Sequence, residues 1–179
     1  SFDFGYTRPF SVGWWATAPD GRVYRYREWY GCVPGEPNAG LKLTAAAIAK
    51  GILEREAPER ADGIPIAAVA DPAIWDSSRG ESIAEQMLAV GVAFEPADHA
   101  RLSGKMQLHA RLAMDSSRRP GLYVFSCCRD FIRTVPALVY SPSNVEDVDT
   151  EGEDHIYDET RYFLMTRPVG RPVPTPRRR

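Results

Sequence analysis

Long apolar runs are missing from this sequence: no stretch approaches the ~18 residues that a membrane-spanning helix requires. Cysteine is scarce. The three present, Cys32, Cys127 and Cys128, are odd in number and lack Cys-x-x-Cys spacing, which points away from a disulfide framework or a zinc knuckle and toward buried or inert thiols. No G-x-x-x-x-G-K-[ST] loop is present to cradle nucleotide phosphates, and no G-x-S-x-G elbow accompanies any histidine, so neither an ATPase nor a serine hydrolase is suggested. The chain opens without a basic n-region or an apolar h-region, so no secretory signal is expected. It begins inside what reads as a strand, and the expectation is a fragment of a longer protein. Internal repeats are lacking, and only the Pro/Arg-rich stretch from Thr166 onward is low in complexity.

Lys and Arg are wholly missing between Ser141 and Thr160, where eight acidic residues lie. Arg118, Arg119, Arg129 and Arg133 cluster just before that stretch, and Arg167, Arg171, Arg177, Arg178 and Arg179 follow it. The net charge of −2 therefore conceals a partition of acid and base along the chain, and argues against bulk coating of nucleic acid. With 44% apolar residues, four Trp, eight Tyr and seven Phe, the chain is not a disordered one. A length of 179 residues fits one globular domain that buries roughly two-thirds of its unfolded surface.

Period-2 alternation at Phe2, Phe4 and Tyr6 predicts a strand, and further strands follow over Ser11 to Thr17 and, after Pro19-Asp20-Gly21, over Val23 to Tyr30. The opening is thus an antiparallel meander. Leu41, Ala45, Ile48 and Ile52 predict an amphipathic helix ending near Pro58. Ile64 to Ala70 reads as a buried strand parallel to the first. Helices are expected at Ser82 to Val90 and, after an Asp98 N-cap, along Leu102, Met106, His109 and Ala113. Leu122 to Phe125 reads as a strand, Asp130 to Leu138 as a short helix, and Glu153 to Met165 as the last helix. This order, α/β with a mixed sheet of an antiparallel meander plus parallel strands flanked by helices, is that of a ribonuclease H-like domain. Trp14, Trp15, Trp29 and Tyr30, in central strands, read as core rather than as a base-stacking platform.

Three acidic positions stand out. Asp3 lies mid-strand between aromatics, Asp71 closes an apolar strand before Pro72, and Asp154 and Asp158 are four residues apart on the last helix, hence on one face. Carboxylates brought together repel unless cations neutralise them. Two Mg²⁺ or Mn²⁺ ions would do so, and would serve in-line phosphodiester hydrolysis. Each residue also has a plainer use: Asp3 facing solvent, Asp71 capping a turn, Asp158 in a surface ion pair with Arg161.

Phe2-Asp3-Phe4-Gly5, Ala70-Asp71-Pro72-Ala73-Ile74-Trp75 with Gly80-Glu81-Ser82-Ile83-Ala84-Glu85, and Asp147 to His155 running into Asp158-Glu159-Thr160-Arg161-Tyr162 span nearly the whole chain. In these segments the sequence resembles the C-terminal nuclease domains of tailed-phage terminase large subunits. The resemblance implies a ribonuclease H-like fold over residues 1–165 and metal-dependent cleavage of concatemeric double-stranded DNA in the host cytoplasm, at the procapsid. A packaging ATPase would precede residue 1, and a small terminase subunit and the portal or procapsid would be further partners. Asp3 and Asp71 would bind metal, Asp154 is favoured as the third ligand, and Asp158 either assists or pairs Arg161. His155 would orient a carboxylate or water, or merely lie at the helix edge. Glu159 departs from the more usual Ala and puts another charge beside Asp158.

Arg79, Lys105, Arg118 and Arg119 are candidate phosphate contacts. Four prolines and five arginines make residues 166–179 an expected mobile tail. Two readings compete. A resolvase, transposase or true ribonuclease H would share the fold. Asp147, Asp149, Glu151, Gly152 and Asp158 also fit positions 1, 3, 5, 6 and 12 of a calcium loop, with Glu at position 5 and Asp at position 12 as mismatches.

Overall fold

In the computed structural model, which describes residues 1–78 and 80–169, the meander forms as expected but its first strand is short. Strand β1 is Phe2–Asp3, β2 is Ser11–Thr17 and β3 is Val23–Tyr30. They pair antiparallel in sequence, with Asp3 opposite Ser11 and Ser11 opposite Tyr30. Strands β4 (Val69–Ala70), β5 (Glu95–Pro96) and β6 (Leu122–Val124) add in parallel, giving the order β5-β4-β1-β2-β3-β6. Among the described residues the helices are α1 (Ala45–Ala61), α2 (Ile83–Val90), α3 (Arg101–Leu112), α4 (Arg129–Thr134) and α5 (His155–Thr166).

Alternation along the strands feeds two cores. Phe2, Val12 and Trp14 pack with Ile48 and Ile52 of α1 and Met87 of α2. Val23, Tyr30 and Leu122 pack with Leu108 of α3, Phe131 of α4 and Ile156 and Leu164 of α5. The four sheet aromatics are core or lean on it: Trp15 stacks on Phe163 at 4.5 Å, and Trp29 meets Phe10 edge-on.

Several expectations change. Helix α1 runs through Pro58, because Arg27 on β3 donates to the Arg55 carbonyl and to Glu59 at 2.7 Å, fastening the last turns to the sheet despite the missing N–H. The predicted strand from Ile64 shrinks to Val69–Ala70, with Ile64 and Ile66 exposed. Helix α3 buries a different face from the one its apolar spacing suggests: Gly104, Lys105, Leu108 and Arg111 face inward while Leu102 and Met106 are exposed. The reason is Gly104. A methyl there would lie 3.0 Å from the Arg161 side chain, so its bare backbone is where α3 can approach α5.

Helix α5 crosses β1, β2 and β4, and a buried ion pair anchors it. Arg25 Nη1 lies 2.5 Å from Glu159 Oε2, both side chains shut off from water, with the guanidinium stacked near the rings of Trp15 and Phe131. Glu159 also accepts from Trp15 Nε1 at 3.1 Å. The added charge at position 159 therefore does not crowd Asp158; it turns toward the sheet. Gly13 makes the room, since a Cβ there would collide with Glu159 Oε1 and Arg25 Nη1. The boundary expected after residue 165 falls inside the last turn of α5. Beyond it the Arg167 carbonyl accepts from Arg111 and the Val169 amide donates to Gln107 at 2.6 Å; residues 170–179 lie outside the described residues.

Arg25→Met alone would strand a buried Glu159 and is expected to cost about 3–5 kcal/mol in urea unfolding, whereas adding Glu159→Leu should recover most of that loss. Equal losses in the single and double variants would show that shape, not charge pairing, holds α5 down.

Candidate active site

The parallel pairing of Phe2 with Ala70 brings Asp3 and Asp71 to the same end of neighbouring strands, β1 and β4. The last turn before α5 delivers Asp154 and His155 to that end. Asp3 is buried, and its Oδ2 lies 3.2 Å from His155 Nδ1. The other ring nitrogen, Nε2, meets Asn38 Oδ1 at 3.1 Å. Asn38 is held in the left-handed region, φ 62°, and its amide nitrogen donates to the carbonyls of Glu151 and Gly152 at 3.2 and 3.1 Å. An amide nitrogen facing two carbonyls forces its oxygen to accept, so His155 Nε2 carries a proton. A proton on either Nδ1 or Asp3 would then close the contact between them. His155 is thus held between Asp3 and Asn38 rather than standing free at the helix edge.

Asp71 does two things at once. Its Oδ1 accepts from the Ala73 amide at 2.9 Å, capping the 3-10 turn Pro72–Trp75, and its Oδ2 accepts from the Tyr162 hydroxyl at 2.8 Å. Asp154 is the N-cap of α5 but makes no capping hydrogen bond. It is buried, and Arg101 Nη2 stands 3.9 Å from its Oδ2. Asp158 is the opposite case, bound by Arg161 at 2.6 and 3.1 Å and by Arg101 at 3.1 and 3.3 Å. The Asp158–Arg161 pair is not a surface one, because the Arg161 side chain is 1% exposed.

Asp3 and Asp154 each feel a neighbouring carboxylate. Burial, reinforced by the charges of Asp158 and Asp71, pushes the Asp3 carboxyl up to about 7 despite the His155 hydrogen bond. Burial and Asp158 push Asp154 up to about 6. Burial works against a charged His155 ring, but the bond to Asp3 and the nearby Asp154 and Asp158 outweigh it and raise its pKa. Among the described residues no three acidic, cysteine or imidazole groups stand as a preformed ion cage. What the site does hold is Asp154, a buried carboxylate without a side-chain hydrogen-bond donor among those residues, next in sequence to the His155 that contacts Asp3, with Asp71 on the adjoining strand end. A hard divalent cation fits that set in kind.

The expected phosphate contacts do not gather here. Lys105 is buried, its Nζ donating to the Glu146 carbonyl at 2.6 Å and facing the Tyr140 ring, so it is spent on fixing the acidic loop. Arg118 and Arg119 are exposed but precede β6, whose Leu122 pairs with Val23 opposite Thr17; Asp3 pairs at the other end of β2, roughly 20 Å away. Arg79 lies outside the described residues. The calcium-loop residues are engaged otherwise, with Asp147 on Arg101 at 2.6 Å and Asp149 on the Glu151 amide. The depression beside Asp71, lined by Phe4, Ala73, Ile74 and Ile83, encloses only about 90 Å³, far below the ~300 Å³ of ordinary small-ligand pockets.

The fold is shared with known proteins. The large terminase of a thermophilic bacteriophage matches with a TM-score of 0.69 and 18% identity over 93% of this chain and 38% of that one. The same terminase in complex with ATP-gamma-S matches at 0.67 and 16% over 92% and 38%. The nuclease domain of the P22 large terminase matches at 0.64 and 17%, over 93% of this chain and 78% of that one. This chain accordingly spans 38% of the length of the thermophilic phage's protein. No family model and no curated protein matches the sequence. The architecture is ribonuclease H-like, of the kind found in phage large terminases.

The contribution of Asp3 and His155 to metal-free stability should depend on pH in one direction. A raised carboxyl pKa stabilises the fold only while the proton stays on, and a raised His pKa has the same sign, so stability falls as pH climbs from about 4 through about 7. Melting in chelator at pH 5 and pH 8 should show a loss of about 1 kcal/mol or more, roughly 2–4 °C per kcal/mol, and Asp3→Asn should flatten it. A melting temperature that rises with pH would contradict the buried, repelling cluster.

Proposed function

We propose that this chain is the nuclease domain of a phage terminase large subunit, a metal-dependent endonuclease that cuts concatemeric double-stranded DNA during genome packaging. The observation that carries the proposal is the placement of Asp3 and Asp71 at adjacent parallel strand ends, with His155, which follows Asp154 at the start of α5, in contact with Asp3, in a fold shared with the P22 nuclease domain. Asp3, Asp71 and Asp154 are the residues that would hold Mg²⁺ or Mn²⁺, two ions in the full site. Such ions, when bound, activate water and stabilise the departing oxygen of a phosphodiester.

The chain's own groups set the stage for that chemistry. His155 fixes one oxygen of Asp3, and Asn38 fixes His155. Tyr162 and the Ala73 amide fix Asp71, so that its carboxylate cannot swing. Asp158, clamped by two guanidiniums, is a supporting anion rather than the third ligand, which leaves that role to Asp154. For the DNA backbone, Arg8 and Lys42 take the place of Lys105, Arg118 and Arg119: both are exposed, on loops joined by the Lys42 amide to the Tyr6 carbonyl, directly beyond β1. By the same likeness, the partners are a packaging ATPase preceding residue 1, a small terminase subunit and the portal or procapsid, and the site of action is the host cytoplasm. No helix among the described residues is long and apolar enough to cross a membrane. The Pro/Arg-rich segment that follows α5 is proposed to dock on the portal or help hold DNA. A resolvase or transposase activity would instead show preference for branched DNA.

The domain should relax and then linearise supercoiled plasmid in Mn²⁺ or Mg²⁺ and be silent in chelator; full activity in chelator would overturn the metal-dependent reading. Asp154→Asn should abolish nicking with stability unchanged or slightly raised in metal-free buffer. Asp158→Asn should instead cost about 1–3 kcal/mol, because the buried Arg161 loses its counter-ion, while some cleavage survives. If Asp158→Asn is fully stable and inactive, the third ligand lies one helical turn further on.

A further inference from the structure

Arg101 is the first residue of α3, and a cation in a first helical turn opposes the helix dipole. Its position is therefore set by what it meets across the fold. Nε donates to Asp147 at 2.6 Å, Nη1 to Asp158 at 3.1 Å, and Nη2 points at Asp154 from 3.9 Å. That third nitrogen is withdrawn from water and has no hydrogen-bond acceptor among the described residues. A fork with two tines seated and one unseated, aimed at the cluster carboxylate that has no side-chain donor among the described residues, is poised between holding that carboxylate and yielding it. Asp158 would not be released with it, because Arg161 grips it independently.

We propose that Arg101 is the site's own counter-cation: it neutralises Asp147, Asp154 and Asp158 in the metal-free protein, competes with a divalent ion for Asp154, and so sets the metal concentration at which the site loads. The proposal rests on reading Asp3, Asp71 and Asp154 as the ion ligands. A guanidinium and a divalent cation cannot both approach one carboxylate in a partly dry site without repelling, so whatever holds the guanidinium there weakens ion binding. The same positive charge lets clustered acids remain folded with no ion present.

The experiment is a calorimetric titration of the full chain with Mn²⁺, paired with melting in chelator and in saturating Mn²⁺. Arg101→Gln should bind Mn²⁺ about tenfold more tightly than the unaltered protein. It should melt lower in chelator, and the gap should close when Mn²⁺ saturates. Arg101→Lys, which keeps a charge near Asp147 but has no third nitrogen for Asp154, should bind about threefold more tightly; if Arg101→Gln does not fold, this variant decides. Mn²⁺ affinity unchanged or weakened in a folded Arg101 variant, while the unaltered protein binds Mn²⁺ normally, overturns the role of Arg101 and leaves the ion site standing. If neither the unaltered protein nor the variants bind Mn²⁺, the ion site itself falls and this proposal with it.

Discussion

The contact between Arg25 and Glu159 is made wholly out of water, and the placement of the acidic groups depends on it. Without it, α5 keeps only the Tyr162–Asp71 and His155–Asp3 contacts as directional ties to the strand ends, because the apolar contacts of Ile156 and Leu164 are non-directional. A buried ion pair is a poor source of stability but a strict one of geometry: two charges that must meet allow few alternative dockings. Arg25 reads the sheet at β3, Glu159 reads the helix, and Gly13 between them supplies the opening. One turn toward the N-terminus from Glu159, the helix start then falls beside Asp3.

From that docking follows a division of labour among like charges. Asp158 and Asp147 are satisfied by arginines, Asp71 by a hydroxyl and a backbone amide, and Asp3 by an imidazole. Among the described residues, Asp154 is left with a charge at a distance. A cluster in which the other members have fixed partners has rigid walls and one charge still to be matched, the arrangement expected where an external cation completes the site.

The sequence revealed the meander and the order of elements, with Asp3 and Asp71 at strand ends and Asp154-His155 at the start of the last helix, since alternation, helical spacing and turn residues are local signals. Helix α2 shows this well, with Ser82 and Glu85 forming a reciprocal capping box. It misjudged α3, where apolar spacing pointed to Leu102 and Met106; the inward face is chosen by the absence of a side chain at Gly104, which hydrophobic periodicity does not register. It also missed Arg101, Asn38 and the anchoring role of Glu159, each of which acts on residues distant in sequence. Asn38, in Pro37-Asn38-Ala39-Gly40, did carry a hint: asparagine is among the few residues that tolerate the left-handed region. That Lys105, Arg118 and Arg119 do not gather at the aspartates has a plainer reason. Charge alone does not say at which end of a sheet a loop will emerge.

The seat of Arg161 on Gly104 bears on how this domain can change over generations. Arg161 lies flat across the bare backbone of α3 while its far end grips Asp158 and reaches the His99 carbonyl. Any larger residue at position 104 would lift the arginine and disturb the acids, yet trimming the arginine first would strand Asp158 and leave a hollow beside the glycine. Neither site can drift alone. Lineages would be expected to hold both or to exchange both within a short interval, so two positions far apart in the chain evolve as a single character.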